Sequence, residues 1–343
     1  MKTILLIILS FISLPGEKDI VFEKPQNYAV YQRQADNTAL VPIMISNVSK
    51  IKIFSWRLQS ENVWQNLPFQ RNGNRITASL RLHAGGWYRL EFRFEKSNGE
   101  VIETAIDHVG IGEVFITAGQ SNAANWGKPK QRTRTGMVVV FDGKRWQAAN
   151  DPLPLCDGKS GSIWSLVGDR LNKALNMPIG FMCLGVGGSG VRQWNPENYR
   201  NKVKNAQLYG RFKKYVPLLR PYGFRAVLWH QGETDRMSRK DVYVRNLKNV
   251  ITGFKQDFGL APWMVAIVGN QWFNPIYGKG CRAAQKQIIA EGLAFQGPDT
   301  DILGKKFRLM EGKSSHFNQR GLEAHAALWS KAIRRFLCQS KKH

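Results

Sequence analysis

Glu113-Val-Phe-Ile-Thr-Ala118 is a short apolar run, and it breaks into the polar turn Gly119-Gln-Ser-Asn122. A run of that length, closed by a glycine, reads as a strand buried on both faces. The pattern repeats downstream in Pro178-Ile-Gly-Phe-Met-Cys-Leu184, Arg225-Ala-Val-Leu-Trp229 and Pro262-Trp-Met-Val-Ala-Ile-Val268. Helical spacing fills the intervals, over residues 162–175 and 242–258. In a last helix Leu322, Ala326, Trp329, Ile333 and Phe336 fall 4, 3, 4 and 3 residues apart on one stripe. Buried strands alternating with helices imply an α/β fold, a parallel sheet covered on both sides.

Upstream the pattern differs. Residues 21–107 hold short β-like segments such as Ile76-Thr-Ala-Ser-Leu-Arg-Leu82 and Trp87-Tyr-Arg-Leu-Glu-Phe-Arg-Phe94, which alternate apolar and polar residues. Turn signals at Asn72-Gly-Asn74, Ala84-Gly-Gly86 and Ser97-Asn-Gly99 separate them. This predicts a small antiparallel β-sandwich, Ig-like, ahead of the α/β domain over residues 110–338.

The chain has 343 residues, enough for two domains. With 43% hydrophobic and 11% aromatic residues it builds a core, which excludes a disordered, collagen-like or coiled-coil chain. Fifty Lys and Arg against 25 Asp and Glu give a net charge of +25, a field that favours acidic partners. The cations are scattered, with local groups at residues 128–134 and 200–204, and no nucleic-acid-binding spacing accompanies them. No nucleic acid partner is expected. Lys2 followed by an apolar stretch over residues 4–14 and then Pro15-Gly16 predicts a signal peptide over residues 1–16, hence a secreted or periplasmic protein. That stretch is too short for a stable membrane span. Four cysteines stand at 156, 183, 281 and 338, without metal-binding spacing. Cys183, inside an apolar run, reads as a core residue.

In a parallel sheet the ligand site lies beyond the carboxyl ends of the strands. Three polar or glycine-rich loops begin there: Gly119-Gln-Ser-Asn122, Gly185-Val-Gly-Gly-Ser-Gly190 and His230-Gln-Gly-Glu-Thr-Asp235. A fourth element, Ser314-Ser-His-Phe-Asn318, precedes the last helix. Ser121 sits at a strand-to-helix turn, where a hydroxyl projects from the sheet edge. A serine needs a base to take its proton, and His316 is the natural one. A carboxylate must then steady the imidazolium, and N–H donors must meet the developing oxyanion. The Ser121 N–H, a glycine N–H from Gly187-Gly188 and the Gln231 amide are donors of the right type.

The strings Gly110-Ile-Gly-Glu-Val-Phe-Ile-Thr-Ala-Gly-Gln-Ser-Asn122, Trp229-His-Gln-Gly-Glu-Thr-Asp235 and His316-Phe-Asn318 resemble the SGNH hydrolase superfamily, and within it the sialate O-acetylesterase and acetylxylan esterase branch of carbohydrate esterases. The resemblance implies a serine O-acetylesterase with a flavodoxin-like three-layer α/β/α domain, no cofactor and no metal. It maps the nucleophile to Ser121, the base to His316, and the oxyanion donors to Ser121 N–H, Gly188 (Gly187 in second place) and Gln231. A leading β-sandwich also occurs in relatives. One position departs from the pattern: the usual acid three residues before the histidine is Lys313 here. Glu233 takes its place in this reading, with Glu311, or a Ser-His dyad without carboxylate, as alternatives. His230 and Asp235 read as structural, and His108 and His325 as packing or surface residues. Asn122, Arg192 and Trp194 are candidate substrate contacts, Trp194 as a sugar platform and Arg192 as a carboxylate partner. The expected substrate is an acetylated carbohydrate, with an acidic sugar such as sialic acid favoured by the charge and acetylated xylan as the neutral option. A non-catalytic carbohydrate-binding protein on a degenerate esterase scaffold is the competing reading.

Overall fold

The computed structural model describes residues 20–48 and 50–339. The expected signal peptide lies outside the described residues. The apolar runs form the centre of a parallel sheet. Its strands, in spatial order, are Val138–Phe141, Ile179–Cys183, Val101–Gly119, Ala226–His230, Trp263–Ile267 and Phe295–Asp299, with Trp146–Ala148 antiparallel on one edge. From Ile179–Cys183 onward the order is that of a flavodoxin-like sheet, in which the first strand in sequence sits second in space. Successive connections leave Val101–Gly119 on opposite sides, so its carboxyl end is the topological switch point.

Alternation along that strand builds two cores. Val114, Ile116 and Ala118 join one cluster with Leu247, Val250 and Phe254 of helix Lys240–Phe258. Phe115, with Phe181, Leu228 and Met264, joins the other, beneath helices Trp164–Leu175 and Gln319–Gln339. Those two helices meet through Trp164 and Trp329, ring centroids 5.7 Å apart. All five residues of the expected terminal stripe are buried. Two elements add to those expected from sequence: strand Phe295–Asp299, whose glycine and proline interrupt any apolar run, and helix Lys279–Ala290, which buries Cys281, Ala284, Gln285 and Ile288 on one face.

The first third of the chain forms two antiparallel sheets. One orders Val21–Lys24, Thr38–Ser46, Arg75–His83 and Gln70–Asn72. The other pairs Ile51–Leu58 with Gly85–Lys96, and the latter with the start of Val101–Gly119. Phe22 of the first sheet packs on Phe92 of the second at 5.0 Å, and Ile43, Ile45, Phe54 and Phe94 share that interior. Val101–Gly119 is continuous, so the boundaries drawn at residues 107 and 110 fall inside one strand common to both regions. His108 sits within it, stacked on Tyr28 at 4.4 Å. Among the described residues no helix is long and apolar enough to cross a membrane. All four cysteines are unpaired.

Where the central strand enters the parallel sheet, fully buried Glu113 binds Arg33 at 2.6 Å and Arg225 at 2.8 Å, and accepts from Gln32 at 2.9 Å. This cluster ties the Val30–Gln32 segment to the sheet. Removing one partner of a buried ion pair strands the others without compensation. Glu113→Ala is therefore expected to lower unfolding free energy by about 3–5 kcal/mol in urea titrations. A loss below about 1 kcal/mol would show that the two guanidinium groups find water instead.

Candidate active site

Gly119 ends the central strand at φ +124°, and a Cβ there would lie 2.0 Å from the His230 carbonyl oxygen. Only glycine permits that approach, and the chain turns sharply after it. Ser121–Ala123 then forms a single 3-10 turn. The turn delivers Ser121 to an open pocket that all four sequence loops line: Gln120 and Ser121 from the first, Gly187 and Gly188 from the second, Glu233 and Thr234 from the third with Arg236 just after it, Ser315 and His316 from the last. Residues 121 and 316, far apart in sequence, thus face one space. Trp126 and Asn270 complete the wall.

His316 is half-buried, its ring 5.3 Å from that of Trp126. Burial lowers its pKa below the usual 6.5. The negative charge of Glu233 opposes that shift, the positive charge of Arg308 adds to it, and Asp157 opposes it. A neutral imidazole at pH 7 is the form that accepts a proton. Its loop is pinned by Arg308, a buried guanidinium that donates to Leu303 O at 3.0 Å, Ser315 O at 2.6 Å and Thr300 O at 3.1 Å. Burial pulls the pKa of Arg308 down to about 10, so it still carries its charge at neutral pH.

Glu233 is buried beside the pocket. Its Oε1 accepts from Asn122 Nδ2 at 2.6 Å and pairs with His230 Nε2 at 3.0 Å, while Oε2 has no partner. Burial alone would raise its pKa, but the charge and hydrogen bond of His230 and the amide of Asn122 hold it at about 2. The carboxylate is ionised and acts on His316 through its charge. No hydrogen bond joins the two side chains among the described residues. Glu311, the alternative acid, is exposed and does not line the pocket, and no hydrogen bond joins it to His316 among the described residues.

The donor set is rearranged. The backbone N–H groups of Ser121 and Gly188 have no partner among the described residues. Gly187 donates instead to Asp157 Oδ1 at 2.8 Å, the same oxygen that accepts from Trp126 Nε1 at 2.9 Å. Gln231 is fully buried and absent from the pocket wall. Its amide nitrogen is spent on Ser189 O at 3.0 Å, Asp235 Oδ2 at 2.6 Å and Gln120 Oε1 at 3.2 Å. Its assignment as an oxyanion donor is thereby corrected.

Three expected substrate contacts also move. Trp194 is fully buried, packed on Phe212 at 5.4 Å and Trp229 at 5.6 Å, because its large apolar ring gains more from the core than from the rim. Arg192 is exposed but lies outside the pocket. Asn122 is buried and binds Glu233 and, at 3.1 Å, the Ser315 carbonyl. His230 binds the Glu233 carboxylate, and Asp235 accepts from Val191 N at 2.8 Å. Sequence reasoning missed Trp126, Asp157, Arg236, Asn270 and Arg308. Only Arg236 carried a signal, as the residue next to the third loop. Among the described residues no group of three or more His, Cys, Asp or Glu is arranged to hold a metal ion.

Residues 111–323 match the profile of a family described as carbohydrate esterase, sialic acid-specific acetylesterase. A probable carbohydrate esterase of Arabidopsis thaliana is 25% identical over 177 residues, covering 43% of this chain and 65% of that protein. The chain therefore spans just under two thirds of that relative. A carbohydrate acetylesterase from Xanthomonas citri shares the fold at 17% identity and TM-score 0.59, over 92% of this chain and 75% of that one. An Arabidopsis thaliana protein structure matches at 19% identity and TM-score 0.50, over 66% and 98%.

The electrostatics give a sign that is independent of turnover. NMR titration is expected to place the His316 pKa below 6.5, and Glu233→Gln should lower it further by deleting the opposing negative charge. A pKa above 6.5, or one that rises in the variant, would contradict this arrangement.

Proposed function

Since the chain belongs to the sialic acid-specific acetylesterase family of carbohydrate esterases, we propose that it is a serine esterase that removes O-acetyl groups from carbohydrate. The observation that carries this reading is the meeting of Ser121 and His316 in one pocket, with the unpartnered N–H groups of Ser121 and Gly188 beside them. Ser121 Oγ bonds to the acetyl carbon as His316 takes its proton, and the carbonyl electron pair moves onto oxygen. When that pair returns, the sugar oxygen leaves with the proton from His316. Water then attacks the acetyl-enzyme, giving its proton to His316, and acetate departs as the proton returns to Ser121. Glu233, ionised and buried nearby, stabilises the imidazolium through its charge. Lys313 and the missing Glu233–His316 hydrogen bond favour one rival, a carbohydrate-binding protein with an idle site.

For the substrate we favour an acidic acetylated sugar, sialic acid being the type. Arg236 supports this: it lines the pocket, is exposed, and has no carboxylate partner among the described residues. It takes the role expected of Arg192. A neutral acetylated xylan needs no such cation. Export is read from residues 1–16, and the two packed antiparallel sheets support an Ig-like reading of residues 21–107.

Ser121→Ala is expected to reduce kcat on p-nitrophenyl acetate by at least about 10³-fold, and near-wild-type turnover would overturn the mechanism. Arg236→Ala should cost about tenfold in kcat/KM on O-acetylated sialic acid, the size of one modest charge-assisted contact, and leave acetylated xylose unchanged. Equal effects on both sugars would remove Arg236 from substrate selection.

A further inference from the structure

We infer that Gln120, not Gln231, supplies the third hydrogen bond to the oxyanion, through its side-chain Nε2. The inference rests on the esterase reading above and follows from accounting for every donor around the pocket. Gln231 Nε2 already faces three acceptors, and its Oε1 accepts from Tyr243 at 2.8 Å. Nothing is left for a ligand. The Gly187 N–H is likewise spent on Asp157.

Gln120 is arranged in the opposite sense. It is 3% exposed and lines the pocket directly beside Ser121. Its Oε1 accepts from Gln231 Nε2 at 3.2 Å, Gly232 N at 3.2 Å and Thr234 N at 3.0 Å. Three N–H donors converging on one end of an amide identify that end as the oxygen. The other end is then fixed as NH₂, and that nitrogen has no protein partner and is not sealed from the pocket. A carboxamide clamped at its oxygen presents its nitrogen without rotational freedom, so the donor is organised before substrate arrives. With Ser121 N–H and Gly188 N–H it makes three donors, on residues that line the pocket, without a partner among the described residues.

The clamp also explains why Gln231 stays in the third loop. Its own NH₂ helps hold Gln120 Oε1, so it acts on the reacting oxygen through Gln120. Gln231 is a positioning residue, and Gln120 the group in contact.

Gln120→Glu separates the two functions of the amide. The carboxylate still accepts from Gly232, Thr234 and Gln231, but it replaces the NH₂ donor with a negative oxygen. On p-nitrophenyl acetate the variant is expected to lose about 10²–10³-fold in kcat. KM should stay within about threefold and Tm within about 3 °C, because the loop clamp survives. Gln120→Leu, which removes the clamp as well, should lose kcat and lower Tm together. A Gln120→Glu kcat within about threefold of wild type overturns the assignment. So does a loss of kcat matched by a rise in KM and a fall in Tm, the signature of a displaced loop. Folded wild-type protein that hydrolyses no ester overturns the esterase reading and this assignment with it, which distinguishes the two failures.

Discussion

One side-chain amide holds three loops of the site in register. Asn122 Nδ2 donates to Glu233 Oε1 and to the carbonyl of Ser315, and so joins the turn after the central strand, the loop after Ala226–His230 and the segment that carries His316. The Ser315 carbonyl is held a second time by Arg308. The Asn122–Glu233 bond is buried, where an unmade hydrogen bond costs the full desolvation of the group left behind, and the bonds to the Ser315 carbonyl are part-buried. The position of His316 relative to Ser121 is therefore set by hydrogen bonds made one residue away from each of them. Among the described residues no hydrogen bond occupies the ring nitrogens of His316.

That bracket works because the sheet brings its anchors close. The parallel strand order puts Val101–Gly119 between Ile179–Cys183 and Ala226–His230, and Gly119 lets the first loop leave tight against the His230 carbonyl. Two apolar layers fix the strands: Val114, Ile116 and Ala118 face one, Phe115 faces the other. Close-packed layers of this kind resist the small shifts that would separate a nucleophile from its base. The charge pattern follows the same logic. Glu233 is kept ionised by His230 and Asn122, and burial, with a smaller contribution from Arg308, keeps His316 neutral until it accepts a proton.

Much of this was legible in the sequence for a physical reason. Ser121 stood out because it closes a buried strand at the sheet edge, and His316 because a serine there needs a base and the polar segment before the last helix offers one. The apolar runs announced the central strands and the stripe from Leu322 to Phe336 announced the last helix. Residue type alone did not tell which way a polar side chain turns once a strand ends. Gln231 and Gln120 are the same amide with opposite fates, one sealed among acceptors and one facing the pocket. Trp194 and Trp126 divide similarly, since a tryptophan is equally suited to a core or a rim. Arg308 was invisible because its partners are backbone carbonyls, which carry no sequence signature. Strand Phe295–Asp299 was hidden by its glycine, proline and exposed glutamine.

The convergence of hydroxyl, imidazole and unpaired N–H groups is tested most directly by a crystal structure of the protein after reaction with diethyl p-nitrophenyl phosphate. The expected density joins phosphorus to Ser121 Oγ, with the phosphoryl oxygen among Ser121 N, Gly188 N and Gln120 Nε2 and His316 on the opposite side. Phosphorus on another residue, no adduct at all, or a phosphoryl oxygen turned away from those donors would contradict it.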